Sequence, residues 1–447
     1  MKESSSSFLS RLGTVLIAAA LSLLTGSVAA QTPGLSPDDD HYAATINRLA
    51  QQPAVQAALE HIEDLDSELL RDLIEITEIP APPFAEGRRA EHYGEMLREA
   101  GLTDVAIDEV GNVIGRRPGS RGERVIAYSA HLDTVFPEDT DLTVRQEGNR
   151  LYAPGIGDNS RGLVSVLAVL RALEFADIQT EADLLFIGNV GEEGLGDLRG
   201  MKHLFREEAE TIDTLIAVDG GSTSRIVNGG VGSHRYRVTF TGPGGHSWGA
   251  FGMANPQHAL GRAIALFDQN ALPITREGPK TTYNVGRMGG GTSINSIPFE
   301  AWMEVDMRSG SQDKLNEIDR VFRQAVAMAL EMENFERQSG PQLEVDIERV
   351  GTRPAAEGDD SMPLVKHAVA ATRHFGIEAD LQISSTDANL PLSLGVPAIT
   401  MSRGGIGGNS HSPDEWWENV DGHISIQIGL LTLLAEAGLS DHSASDD

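Results

Sequence analysis

The sequence predicts an α/β protein with a large, mainly parallel mixed sheet and a ferredoxin-like β-α-β-β-α-β unit inserted into it. Three observations lead there. Positions 125–128, 184–187, 215–218 and 396–401 are short, nearly continuous apolar runs, as strands read when helices cover both faces. Between 231 and 350 the pattern changes to strict alternation, the mark of a sheet open on one face. The first pattern then resumes, so the second unit is inserted, not appended. A chain of 447 residues is in any case long enough for two cores.

Taken in order, residues 1–30 read as a cleaved signal segment. Lys2 and Arg11 flank a short apolar run over 15–24, and Val28-Ala29-Ala30 offers the small residues a signal peptidase accepts, with cleavage after Ala30. The run is short for a bilayer span; an uncleaved anchor is the competing reading. The first part of the larger domain follows over 31–230. Leu69, Leu70, Leu73 and Ile74 pair at helical spacing, and an apolar helix over 160–175 starts behind Asn159 or Ser160 as cap. A Gly-rich joint, Asn228-Gly229-Gly230-Val231-Gly232, leads to the inserted unit at 231–350.

Within the insert, Tyr236, Val238 and Phe240 alternate with polar neighbours, a helix spans about 256–267, and Ala301, Met303, Val305 and Met307 mark another strand. Leu315, Ile318, Phe322, Ala325 and Ala329 follow helical spacing, and Leu343, Val345 and Ile347 alternate again. That order is the ferredoxin-like unit. A second joint from Gly351 to Asp360 returns the chain to the larger domain over 351–440, and 441–447 is a polar tail.

The formal charge is −31, and −32 once Lys2, Arg11 and Glu3 leave with the signal segment. Such a surface excludes nucleic acid and anionic lipid as partners. With arginine carrying nearly all the positive charge, a salt-rich habitat and a GC-rich genome are both open explanations. There is no cysteine, which excludes disulfides, a lipid-anchored lipoprotein and a thiolate zinc site.

The chemistry-bearing residues fall where strands end. His131 follows the apolar run ending at Ala130, Glu192 and Glu193 follow Val190, Asp219 follows Val218, and His411 lies in the loop after Met401. Asp158 sits in Gly155-Ile-Gly-Asp-Asn159, ahead of a helix. Loops at the carboxyl ends of strands in an open α/β sheet converge on one crevice, so these side chains can meet. Singly each is an ordinary turn, surface or core residue. Together they are a ligand set for divalent metal.

The segments Ser129-Ala-His131-Leu-Asp133-Thr-Val135, Gly157-Asp158-Asn159, Gly191-Glu192-Glu193-Gly194, Val218-Asp219-Gly220-Gly221, Gly244-Gly245-His246-Ser247 and His411-Ser-Pro-Asp-Glu415 strongly resemble the dinuclear zinc family of aminoacylases, succinyl-diaminopimelate desuccinylases, glutamate carboxypeptidases and peptidase T. They span almost the whole mature chain in the family's order. The resemblance implies a zinc-exopeptidase-like catalytic domain with an inserted lid and dimerisation domain. It implies one metal on His131, Asp158 and Asp219 and another on Glu193, Asp158 and His411, with Asp158 shared. Two Zn²⁺ per subunit suit imidazole and carboxylate donors, and Co²⁺ or Mn²⁺ could use the same set.

By the same resemblance Glu192 is the general base beside the metals. Asp133 would accept the other imidazole N–H of His131, and Glu415 would orient His411 or form a surface ion pair. The peptide after Asp158 is often cis in this family. His246 resembles a lid histidine that polarises the scissile carbonyl in a neighbouring subunit, and Asn295 and Arg308 resemble lid residues that bind the substrate's carbonyl or carboxylate. A homodimer through the inserted domain follows from the analogy. Ser385-Thr386-Asp387-Ala388-Asn389 resembles a segment near substrate, with no individual roles assigned.

The substrate implied is a small peptide or an acylated amino acid. Asp219 is an aspartate, as in the peptidase T and dipeptidase branches, and a short arm leaves room for a substrate amine; this favours an aminopeptidase. An N-acyl-amino-acid amidohydrolase or carboxypeptidase-like enzyme is the alternative, because Arg308 suits a carboxylate. An exported solute-binding protein would fit the export and acidity but has no use for Glu192.

Overall fold

The computed structural model describes residues 37–440; the expected signal segment at 1–30 and the tail at 441–447 lie outside the described residues. Eight strands form the main sheet, in the order Asp104–Ile107, Val113–Arg117, Asp183–Asn189, Val125–His131, Thr214–Asp219, Ala398–Ser402, Arg225–Gly230, Asp380–Ser384. The four strands from Asp183–Asn189 to Ala398–Ser402 are mutually parallel. Antiparallel pairs join them to the flanking strands on both sides, so the sheet is mixed. Val125–His131 is buried along its whole length, because the helices Arg161–Phe175 and Gly422–Ala437 lie over one face and residues such as Leu198 and Met201 pack on the other. Continuous apolar strands are stable only under such double cover.

A second sheet is four-stranded and wholly antiparallel, ordered Thr281–Gly290, Glu300–Ser309, Gly232–Thr241, Glu344–Arg353. Glu300–Ser309 alternates buried and half-buried residues without a break. Its inner face, with Tyr236, Val238 and Phe240 beside it, meets Phe267 and Phe322 from the helices Pro256–Thr275 and Gln312–Glu336. The chain order is β-α-β-β-α-β. The first helix runs eight residues past the expected 267, to Thr275, and carries Pro273 in its last turn.

Both joints differ from the sequence expectation. Arg225–Gly230 passes almost directly into Gly232–Thr241, and Glu344–Arg353 runs three residues beyond position 350. The two crossing segments are tied to one another by paired backbone bonds between Gly230 and Ala356, at 2.8 and 3.0 Å. The glycines serve close packing, not a turn. A Cβ on Gly232 would lie 2.5 Å from the Ala355 nitrogen, and one on Gly229 would lie 2.8 Å from the Gly358 nitrogen. Among the described residues no helix is long and apolar enough to cross a membrane.

Candidate active site

His131 and Asp219 are the last residues of two neighbouring parallel strands, so both leave the sheet at one edge. Asn189 ends the strand on the other side of Val125–His131, and the loop beyond it carries Glu192 and Glu193 to the same edge. Strand order reverses around Val125–His131, and a crevice opens at such a reversal.

Asp158 arrives on the turn Ile156–Ser160. Its peptide bond to Asn159 is cis, as the resemblance implies. Neither Asn159 nor Ser160 caps the following helix Arg161–Phe175. Ser160 already has helical backbone angles, and the Asn159 amide instead donates to the Val218 carbonyl at 2.8 Å, pinning the Asp158 turn to the strand that ends in Asp219.

The polar atoms gather into overlapping sets. One donor atom each from His131, Asp158 and Asp219 lie within 4.8 Å of one another, and so do those of Asp158, Glu193 and His411. Asp158 belongs to both. Its Oδ1 is 3.3 Å from His131 Nε2, and its Oδ2 is 3.2 Å from His411 Nε2, which is also 2.7 Å from Glu193 Oε1. A third grouping, His131 with Glu192 and Glu193, is equally tight. Glu192 stands apart in it because its Oε1 accepts a 2.7 Å bond from Arg353 Nη1.

The electrostatics demand positive charge. Burial opposes charge on His131, yet Asp133 and Asp158 outweigh it and raise its pKa well above the ordinary value. Asp158 and Glu193 lift His411 to about 10. Despite burial, His131 and His411 hold the Asp158 carboxyl far below the carboxylate range. His131 Nε2 is buried with no hydrogen-bond partner. An unpartnered imidazole nitrogen facing several carboxylates is the donor set of a divalent cation, and these residues fit one at each end of Asp158.

Asp133 is at the site in a different role from the expected one. The His131 Nδ1 donates to the Asp133 main-chain carbonyl at 3.0 Å. The carboxylate, 3.6 Å away, is too far for a hydrogen bond. It accepts the backbone N–H groups of Glu192 and Glu193 at 3.0 and 2.7 Å. Asp133 thus fixes the imidazole with its backbone and the Glu192-Glu193 loop with its side chain. Both place a donor.

Glu415 also departs from expectation. It is 1% exposed and neither orients His411 nor pairs at the surface. Its carboxylate accepts the backbone N–H groups of Gly155, Gly157 and Asp158 at 2.9, 2.9 and 2.8 Å, holding the turn that presents Asp158. Burial, with Asp158 nearby, pushes it up to about 7.

Arg353 was missed. It ends the last strand of the second sheet, donates to the Glu192 side chain and main-chain carbonyl, and reaches Ser385 Oγ at 3.0 Å. Burial raises the Glu192 pKa well above the ordinary value, and Arg353 works against that rise. Asp387, from the segment left without roles, accepts the Asn189 amide at 2.9 Å and is pushed up to about 6 by burial.

The three residues of the inserted unit lie outside the ligand groups. His246 pairs with Ser296 in a short strand contact, and its Nδ1 accepts the Trp248 and Gly249 N–H groups at 3.2 and 3.3 Å. Asn295 accepts from Ser293 Oγ at 2.6 Å. Arg308 Nε donates to Asp306 at 2.8 Å, on the half-exposed face opposite buried Met307.

An α/β sheet whose parallel strand ends gather imidazoles and carboxylates around a shared aspartate, beside a buried carboxylate bonded to an arginine, defines a metal-dependent hydrolase. The chain belongs to peptidase family M20/M25/M40, whose model matches residues 127–437, and is accordingly a hydrolase of peptide or amide bonds. It is 24% identical over 354 residues to the uncharacterized protein YqjE of Bacillus subtilis, covering 76% of this chain and 91% of that one. It is also 24% identical over 272 residues to carboxypeptidase G2 of a Pseudomonas species, covering 59% and 61% of the two chains. Among solved structures, the aminopeptidase PepT of Bacillus cereus superposes with a TM-score of 0.66 at 21% identity, covering 83% of this chain and 97% of that one. The dipeptidase Dug1p of Saccharomyces cerevisiae gives 0.67 at 14% identity, with 86% and 98% covered.

Proposed function

We propose that this chain is an exported, dinuclear-metal peptidase that removes residues from the amino end of short peptides, in the manner of a tripeptidase or dipeptidase. The observation that carries the reading is the pair of donor groups sharing Asp158, with Glu192 tethered to Arg353 beside them. His131, Asp158 and Asp219 would hold one ion and Glu193, Asp158 and His411 the other, zinc being best suited to these donors. Two such ions would lower the pKa of a bound water towards about 7 and stabilise developing oxyanion charge.

The chain's own residues supply the rest. Glu192 takes the proton of the attacking water on the carboxylate oxygen that Arg353 leaves free, then passes it to the departing nitrogen. Arg353 works against protonation of that buried carboxylate. On the inserted unit, the Nδ1 of exposed His246 is occupied as an acceptor, so its Nε2 carries the proton and can donate to a substrate carbonyl. Asn295 and Arg308 would bind the carbonyl or carboxylate beyond the cut, with a homodimer through the inserted unit bringing one subunit's His246 to its partner's crevice.

Asp219 favours a free substrate amine by its short arm. A deacylase or carboxypeptidase-like activity is the second reading, supported by Arg308 and by the likeness to carboxypeptidase G2. Turnover of free and N-acetylated dipeptides, after chelation and restoration of metal, separates them. Free dipeptides are expected to be cut, and exclusive cleavage of acylated ones would overturn the aminopeptidase reading. Export rests on the sequence of residues 1–30. A secreted product beginning at Gln31 is expected from amino-terminal sequencing.

A further inference from the structure

Behind the Asp158 turn, away from the donor groups, lies a cavity of about 400 Å³ lined by Asp66, Leu70, Leu151, Arg161 and Trp417. Its size is within the range of small-ligand sites, about 300–1,000 Å³. Arg161 is 2% exposed. Among the described residues no hydrogen bond or ion pair reaches its guanidinium, and its Nε is buried without a partner. The guanidinium's contact is the Trp417 ring, with its carbon 4.7 Å from the ring centroid. Burial depresses its pKa to about 10, with Asp66 the one acid acting against that and Arg403 adding to it. A buried guanidinium normally sits against a carboxylate, since leaving its donors unused costs free energy.

We infer that this cavity is a second binding site, distinct from the catalytic crevice, that takes a free α-amino acid. The ligand carboxylate meets the Arg161 fork, its ammonium faces the exposed Asp66 on the rim, and its side chain lies against Leu70, Leu151 and the Trp417 ring. The pairing of one buried cation with one acid across the cavity selects a zwitterion. A phosphate-like dianion would be repelled by Asp66, and a plain amine would be repelled by Arg161. The site is coupled to the crevice by covalent neighbours. Arg161 begins the helix directly after the turn that carries Asp158, and Trp417 is two residues beyond Glu415, which holds that turn.

The test is calorimetric titration of L-leucine, and of 4-methylpentanoate as its deaminated counterpart, into the metal-loaded full chain, Arg161→Gln and Asp66→Asn. The wild type is expected to bind L-leucine at a site that Arg161→Gln weakens about ten- to hundredfold, the loss of charge-assisted hydrogen bonds. Asp66→Asn is expected to weaken L-leucine while binding 4-methylpentanoate as tightly as the wild type does or more tightly, with turnover without added amino acid intact. Should Arg161→Gln fail to fold by circular dichroism, exposed Asp66→Asn decides alone. L-leucine binding equal in wild type and Asp66→Asn, or 4-methylpentanoate bound as tightly as L-leucine by the wild type, would overturn the assignment. These readouts are independent of which amide bond the crevice cuts.

Discussion

Glu192 combines three conditions a general base needs: burial that raises its basicity, a cation that opposes its protonation, and one oxygen that Arg353 does not engage. Glu192→Gln is expected to lower kcat about 10²–10⁴-fold with metal content unchanged, measured by steady-state assay beside elemental analysis. Unchanged turnover would remove Glu192 from the mechanism. Arg353 sets the second condition. Its charge opposes the upward push of burial on Glu192, so without it the carboxyl stays protonated to higher pH. Arg353→Gln should therefore move the acidic limb of the pH profile of kcat/KM upward, whereas a merely structural role would lower activity evenly across pH. Of the candidate donors, His131, Glu193 and Asp219 were legible because each follows an apolar run with strand character. Arg353 was not, since its partner lies 161 residues away and a single arginine before a proline carries no periodic signal. The only clue was its place at the end of an alternating strand.

At the scale of elements, the Ile156–Ser160 turn is held from two sides, by Asn159 on the Thr214–Asp219 strand and by Glu415 accepting three backbone N–H groups. A glutamine at 415 would present an amide N–H₂ towards those donors. Glu415→Gln is expected to weaken metal retention about 10–100-fold, the usual cost of a supporting contact, in competition with a chromogenic chelator while the fold persists. On the helix Gln312–Glu336, which packs on the second sheet, Asp319 is held well below its ordinary pKa of 3.8: burial raises it, but His234, Tyr236 and Arg323 outweigh that. A depressed folded-state value contributes stability above the unfolded pKa and loses it as pH falls through the folded one. Asp319→Asn should lower the unfolding midpoint near neutrality and flatten its decline below about pH 5, read by thermal melts across pH. The helices and strands were legible from their periods. The joints were not, because glycine reads as a turn signal when it serves close backbone packing, as at Gly232 beside Ala355.

For the whole molecule, a charge of −31 surrounds a crevice whose own carboxylates outnumber its imidazoles, and that excess is what calls for cations. Hydrolysis by this chain should therefore vanish on chelation and return with divalent metal, while the main sheet, buried under helices on both faces, stays folded. The fold class and the crevice were readable together because parallel strands end on one side. The supports of the crevice, Glu415 and Arg353, lie far along the chain from the residues they hold, and only the folded chain brings them in. The central claim is a shared aspartate between two ions. Its most direct measurement is the metal content of the desalted, reconstituted chain beside Asp158→Asn: two equivalents per wild-type chain and loss of tight binding in the variant are expected, whereas one equivalent or none in the wild type, or unchanged content in the variant, would contradict it.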